Sequence, residues 1–168
     1  MSAAVDLDRL RTDLEKRFGP AIVPTPGEPA RQERPGFRTG VRALDLLVPE
    51  GVPRRALTLW TGEGTSGRTA ALCLLVDRAC RQGARVALVD ATRTLDPAAW
   101  CAGGASADGL WVARPPTDAL EMEGAWVAEK LLRTGAFALV VLDGPPPAQT
   151  DAHRLRALAR ETDTALLV

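Results

Sequence analysis

A glycine-rich turn between an apolar run and a helical pattern is the feature that most constrains the fold. Residues 56–60 predict a buried strand, and residues 68–82 predict a helix that ends near Gly83. The turn fits the pattern G-x-x-x-x-G-K-[ST] except that Arg68 stands at the lysine position. Glycines in such a turn let backbone N–H groups converge on phosphate oxygens at a helix N-terminus. The candidate phosphate-loop residues are Gly62, Glu63, Gly64, Thr65, Ser66, Gly67, Arg68 and Thr69.

Arg68 changes the chemistry that the loop offers. The lysine of the pattern follows the β- and γ-phosphates of a nucleotide, and the hydroxyl that Thr69 retains holds Mg²⁺. A guanidinium is bulkier than an ammonium and binds phosphate through a planar fork, so Arg68 is expected to clash with or occupy the γ-phosphate position. The only lysines are Lys16 and Lys130, so drift in an arginine-rich composition is a second explanation of Arg68.

Length and charge set the class of protein. The 168 residues predict one domain, and Lys+Arg and Asp+Glu both number 21, so the formal net charge is zero. This balance gives no electrostatic footprint for non-specific nucleic-acid binding, although a local basic patch stays possible. The sequence shows no signal peptide and no apolar run near 18 residues, which predicts a cytoplasmic protein without a membrane contact. Cys73, Cys80 and Cys101 are interpreted as small buried hydrophobes rather than as a disulfide or a zinc site.

Three segments are predicted along the chain. Residues 1–19 contain an amphipathic helix, residues 20–36 form a Pro-rich linker, and residues 37–168 form the α/β core, which is expected to continue past the last residue given. The helix is predicted to bury its apolar stripe in its own core, on a neighbouring protomer or on another protein. The stripe consists of Leu7, Leu10, Leu14 and Phe18.

The core alternates strands and helices, which predicts a mostly parallel twisted sheet with helices on both faces. Ligands of such sheets bind at the carboxyl ends of the strands. Asp143 follows the apolar run at 138–142 and is predicted to lie on a strand next to the loop, where a carboxylate completes a magnesium shell. A turn-capping role for Asp143 is compatible with that position. Beyond the first strand and helix, strands are predicted at 85–91, 110–115, 136–143 and 164–168, and helices at 97–103, 117–134 and 151–162.

Four motifs in order resemble the core of the RecA recombinase family over residues 37–168. FRTGVRALDLLVPEGVPRR is similar to the segment ahead of the family's first core strand, and GEGTSGRT to its loop G-P-E-S-S-G-K-T. VALVDATRTLDP resembles A-x-F-I-D-A-E-H-A-L-D-P, and AFALVVLDG resembles V-D-V-I-V-V-D-S, which makes Asp143 a Walker B-like residue. The resemblance implies a RecA-like fold.

Two departures from those motifs imply that hydrolysis is lost. Thr92 stands where the family has the glutamate that activates the attacking water, and threonine is no general base near neutral pH. Arg68 alters the phosphate loop and Thr92 replaces the water-activating acid, so two separate catalytic elements are changed. We therefore expect a pseudo-ATPase with no catalytic residue and no metal site, in which any binding of ATP and Mg²⁺ is weak.

A degenerate RecA-like chain with a helix and linker ahead of its core resembles the ImuA family. That resemblance implies an adaptor of damage-inducible mutagenesis and translesion synthesis. The implied partners are an ImuB-like polymerase homologue, an error-prone C-family polymerase and RecA, and the N-terminal helix implies self-association. Two alternatives stay open, a nucleotide-gated protein that binds ATP weakly and a DNA-binding recombinase fragment.

Charge and aromatic residues bear on those alternatives. Residues 144–150 are uncharged where a DNA-contacting loop is expected, and a solvated surface is favoured for the arginines that follow, Arg154, Arg156 and Arg160. His153 is interpreted as a surface residue. Trp60 is expected to fill part of a nucleotide's space. Core packing is predicted for the other tryptophans, Trp100, Trp111 and Trp126.

Overall fold

The computed structural model describes residues 34–168 apart from residues 65, 97–108 and 117–119, together with residues 9, 12, 13, 16 and 17; for residues 120–123 it describes the backbone alone. The chain divides into two units, Met1–Glu33 and Arg34–Val168. The five described residues of the first unit are helical, as the N-terminal pattern predicts. The apolar stripe Leu7, Leu10, Leu14 and Phe18 lies outside the described residues, as do the predicted helix 97–103 and Trp100.

The second unit is an α/β fold with one sheet of five parallel strands in the order β1-β5-β4-β2-β3. Its strands are β1 (Ala56–Thr58), β2 (Val86–Asp90), β3 (Leu110–Ala113), β4 (Leu139–Asp143) and β5 (Ala165–Leu167). Its helices are α1 (Arg42–Leu47), α2 (Arg68–Arg81), α3 (Leu120–Arg133) and α4 (Gln149–Glu161). The parallel sheet predicted from the alternation of elements is confirmed.

Helices cover both faces of the sheet because the central strands are apolar on both sides. All five residues of β2 are buried, and alternate side chains enter different cores. The first core joins Val86 and Leu88 to α2, and the second joins Ala87 and Val89 to α3 and α4. α2 begins directly after the glycine-rich loop, so the burial of its apolar face holds the loop at the carboxyl edge of the sheet.

A hydrogen-bonded turn organises the segment ahead of β1. The carboxylate of Asp45 accepts hydrogen bonds from the Thr39 N–H (2.8 Å), the Thr39 hydroxyl (2.9 Å) and the Gly40 N–H (3.1 Å). These contacts explain the Thr-Gly and Leu-Asp pairs of the segment. The helix that follows lies at the surface, since no residue of α1 is buried and Leu47 is 78% exposed.

Candidate functional site

The glycine-rich loop connects β1 to α2 in a backbone conformation suited to anions. Gly67 has φ +78°, a left-handed conformation that favours glycine, and it precedes the first residue of α2. The N-cap residue, Gly67, provides no side-chain hydrogen bond to the N-terminal N–H groups of that helix. Gly62 lies against Ser66, since a Cβ at Gly62 would lie 2.6 Å from Ser66 Oγ and that side chain would have to shift. The loop therefore presents uncapped N–H donors at a helix N-terminus, where an anion is favoured.

A cavity of about 420 Å³ opens inside the loop. The side chains of Arg68 and Thr69 are both exposed there. The phosphates of a nucleotide fit this donor set of backbone N–H groups, a guanidinium and a hydroxyl. Among the predicted loop residues, Thr65 lies outside the described part, and the cavity is lined by Gly62, Glu63, Gly64, Ser66, Gly67, Arg68, Thr69 and Ala70.

Asp143 does not lie on the strand next to the loop strand, and that expectation is wrong. β5 is inserted between β1 and β4, because long-range packing rather than chain order decides which strands pair. Asp143 still reaches the loop residues, since it lines one narrow cleft of about 20 Å³ together with Arg68, Thr69 and Trp60. The carboxyl end of β5 lies between β1 and β4. There the Val168 carbonyl accepts a hydrogen bond from the Trp60 N–H at 2.8 Å.

The environment of Asp143 favours its neutral form. Burial raises the pKa of this carboxyl above its ordinary value, the charge of Arg68 opposes that effect, and the nearby Asp90 adds to it. The side chain of Thr92 lowers this pKa by less than burial raises it, so the net shift of the Asp143 pKa is upward.

Thr92 lies close to Asp143 at this edge of the sheet. Its side chain lowers the pKa of the Asp143 carboxyl. The Thr92 hydroxyl also lies 2.8 Å from the hydroxyl of Thr94, and either oxygen can be the donor. Thr92 therefore places a hydroxyl, and no second carboxylate, beside Asp143.

Asp90, one strand away, is held by an arginine that sequence reasoning missed. Its carboxylate is fully buried and accepts hydrogen bonds from Arg114 Nε at 3.0 Å and from the Thr94 N–H at 3.2 Å. A second nitrogen of Arg114 donates to the Leu95 carbonyl at 2.6 Å. A buried acid in an apolar strand needs a cation. The arginine at the end of the following strand was the available signal.

A model of the RecA N-terminal domain matches residues 6–150 of this chain. The chain belongs to the RecA N-terminal domain family. It is similar to RecA of Rubrobacter xylanophilus (33% identical over 82% of this chain and 39% of the relative) and to RecA of Streptococcus pyogenes serotype M49 (35% identical over 82% of this chain and 36% of the relative). The chain therefore spans less than two fifths of these relatives.

A solved structure shows the same fold. The crystal structure of the RadB recombinase matches with a TM-score of 0.62 and 22% sequence identity, over 79% of this chain and 68% of that one. In this member of the RecA N-terminal domain family, the carboxyl edge of the sheet brings together Arg68, Thr69, Thr92 and Asp143. No group of three or more metal-binding side chains occurs within the described residues.

The aromatic residues around this RecA-like core depart from the prediction of core packing. Trp111 is 65% exposed and Trp126 is 56% exposed. β3 is an edge strand, so Trp111 packs only edge-on against Phe137, with ring centroids 5.7 Å apart. Trp126 instead lies beneath the ammonium of Lys130, 5.1 Å from its ring centroid. Trp60 is half-buried beside the loop.

Only some of the arginines of α4 are available to bind a polyanion such as DNA. Arg154 pairs with Glu129 of α3 at 2.9 Å and with Asp151 at 2.8 Å. Arg156 and Arg160 are exposed, and His153 is a surface residue as predicted.

Among the helices of the described residues, none has both the length and the apolar character needed to cross a lipid bilayer.

Proposed function

We propose that this RecA-like chain is a non-catalytic accessory protein of bacterial DNA-damage-induced mutagenesis. One observation supports the loss of catalysis: Thr92 stands at the position of the water-activating glutamate and offers a hydroxyl instead of a carboxylate. A threonine hydroxyl is no general base near neutral pH. The chain is therefore proposed to be a pseudo-ATPase.

The proposed role is that of an adaptor in translesion synthesis, as in the ImuA family. Its partners would be an ImuB-like polymerase homologue and an error-prone C-family polymerase, with RecA as a further contact. The N-terminal helix, through Leu7, Leu10, Leu14 and Phe18, is the proposed docking element for a partner or a second copy. Such a role places the protein with the chromosome in the cytoplasm.

Steady-state and single-turnover ATPase assays with Mg²⁺ test the loss of catalysis. We expect no hydrolysis above the protein-free rate, with or without single-stranded DNA. The informative variant is Thr92→Glu combined with Arg68→Lys, which supplies both missing groups. Hydrolysis by the unaltered chain that disappears in Asp143→Ala would overturn the proposal.

Partner docking is tested separately by size-exclusion chromatography with a purified ImuB-like protein. The variant Leu10→Asp with Leu14→Asp replaces two stripe residues by charges, and Arg9→Asp with Lys16→Asp is the matched control on the opposite face of the predicted helix. We expect the first variant to lose the complex and the control to keep it. Equal binding by both variants would remove the helix from the proposed interface.

A nucleotide-gated protein that binds ATP weakly is the second candidate, favoured by the uncapped start of α2 and the 420 Å³ cavity. Calorimetric titration with ATP and Mg²⁺ separates the two. Absent or millimolar affinity rejects gating, whereas micromolar affinity that is lost in Arg68→Ala supports it. DNA binding by this candidate predicts a salt-dependent rise in the fluorescence anisotropy of labelled single-stranded DNA. The ion pairs of Arg154 argue against that rise.

A further inference from the structure

A second cavity opens at the edge of the sheet opposite the loop. It has a volume of about 530 Å³ and lies where β2 and β4 begin, between Arg85 and Ala138. Because all strands run parallel, the loop and Asp143 lie at the carboxyl edge and this cavity lies at the amino edge. Its location separates it from every residue of the candidate nucleotide site.

Three arginines line this cavity, Arg34, Arg54 and Arg85, and no acidic residue among those that the structure describes does so. Within the described residues, the carboxylate that pairs with these arginines is that of Asp163, which lies 3.6 Å from Arg34 and 3.7 Å from Arg54. In the part of the chain that the structure describes, Arg85 has no ion-pair partner and is exposed. One carboxylate therefore opposes three cations.

Arg54 shows that this excess of positive charge is costly. Its side chain is only 14% exposed, and its guanidinium lies 4.7 Å above the ring centroid of Phe37. Burial lowers the pKa of Arg54, Asp163 opposes that effect, and the charge of Arg34 adds to it. The buried Nε–H of Arg54 has no acceptor within the described residues. An added anion would relieve the repulsion between the two arginines.

The rest of the lining is mixed, with the polar Gln82 beside apolar residues. Ala136 and Ala138 lie along it. A volume of about 530 Å³ is within the range of small-molecule sites and exceeds what a single inorganic ion fills. Arginines recognise carboxylates and phosphates through paired hydrogen bonds. Shape and charge together select a small anion with more than one oxyanion group.

We propose that the cavity between Arg34, Arg54 and Arg85 binds a small multivalent oxyanion, a phosphate or carboxylate compound. Arg85 supplies the unpaired guanidinium that holds one oxyanion group, and Arg34 reaches the ligand from the opposite wall. Arg54 supplies fixed positive charge beneath it. The site is independent of the nucleotide loop and of the proposed accessory function.

Titration of the ¹⁵N-labelled chain with pyrophosphate and, separately, with citrate tests this site by NMR. We expect saturable amide shifts at Gly83, Ala84 and Ala136 that weaken as salt is added. Arg85→Ala should weaken that binding by about tenfold or more. Arg156→Ala is the matched control, since Arg156 is an exposed arginine on α4 away from the cavity.

The relative affinities for pyrophosphate and citrate show which class of ligand the cavity prefers. Tighter binding of pyrophosphate identifies a phosphate ligand, and tighter binding of citrate identifies a carboxylate ligand. Both results support the site if Arg85→Ala weakens them and Arg156→Ala does not. Shifts confined to residues 62–70, no shifts, or equal affinity in Arg85→Ala and the unaltered chain would overturn the proposal. Arg34→Ala provides a second test, because Arg34 is 74% exposed and its replacement leaves the core intact.

Discussion

Asp90 and Asp143 lie directly opposite each other at the carboxyl ends of β2 and β4, and a different arginine faces each carboxylate. Arg114 binds Asp90 at 3.0 Å, whereas Arg68 acts on Asp143 from across the cleft. Two adjacent acids at one sheet edge repel each other unless each has a cation. This arrangement makes the edge sensitive to charge substitutions.

Arg114→Ala is expected to destabilise the fold by about 3 kcal/mol, because it leaves the fully buried Asp90 carboxylate without its cation. Urea denaturation at pH 7 measures the change. The control is Arg156→Ala, an exposed arginine for which we expect a change within about 0.5 kcal/mol. Equal effects of the two substitutions would mean that Asp90 does not depend on Arg114.

Asp143→Asn is expected to stabilise the fold at neutral pH. The pKa of Asp143 is raised in the folded state, first by burial, so folding binds protons and stability from this group is lost as pH rises through the raised pKa. The gain stays under about 1 kcal/mol because solvent screens a half-buried carboxyl. Thermal unfolding from pH 3 to pH 8 should show the difference vanish below the ordinary aspartate pKa. A constant difference across that range would contradict the shift.

Gly144→Ala is expected to lower stability by about 1–3 kcal/mol, since its Cβ would lie 2.9 Å from that of Ala91. Gly64→Ala is the matched control, because a Cβ there meets no atom within 4 Å. Chemical denaturation of the two variants compares them. If both variants unfold at the same urea concentration, Ala91 and residue 144 are not packed closely enough for the added methyl group to lower stability.

Glu129→Gln is expected to weaken the contact between α3 and α4 by about 1 kcal/mol. Glu129 accepts hydrogen bonds from Arg133 at 2.8 Å and pairs with Arg154 at 2.9 Å. Glu161→Gln, on an exposed residue, is the control. Urea denaturation in low and high salt is the measurement. The loss should shrink in high salt, and a loss that salt leaves unchanged would point to packing instead of charge.

The sequence predicted the loop, the strands and the two-sided sheet because those signals are local. Gly67 and the apolar run of β2 specify conformation within a few residues, and the structure confirms both. The observed ends of the helices and strands differ slightly from the predicted ones. The helix predicted at 151–162 runs from Gln149 to Glu161, and the strand predicted at 56–60 ends at Thr58. Local patterns leave such end residues open, since the last turn of an element depends on its neighbours.

Lateral relationships were not predictable from those patterns. The position of β5 between β1 and β4 depends on how helices pack across the sheet, so Asp143 was expected one strand too close to the loop. The exposure of Trp111 follows from the position of β3 at the sheet edge, which no feature of its own segment shows. The pairing of Asp90 with Arg114 depends on strand neighbours in the same way.

The parallel sheet also separates two charged ends of the molecule. β2 spans five residues between Arg85 and the carboxyl edge, which is about 17 Å at about 3.3 Å per residue. Mobile salt screens exposed charges over about 8 Å at physiological ionic strength. At about twice that distance, the arginine cavity and the carboxyl of Asp143 interact only weakly through the solvent. Filling one end should leave the titration of the other unchanged.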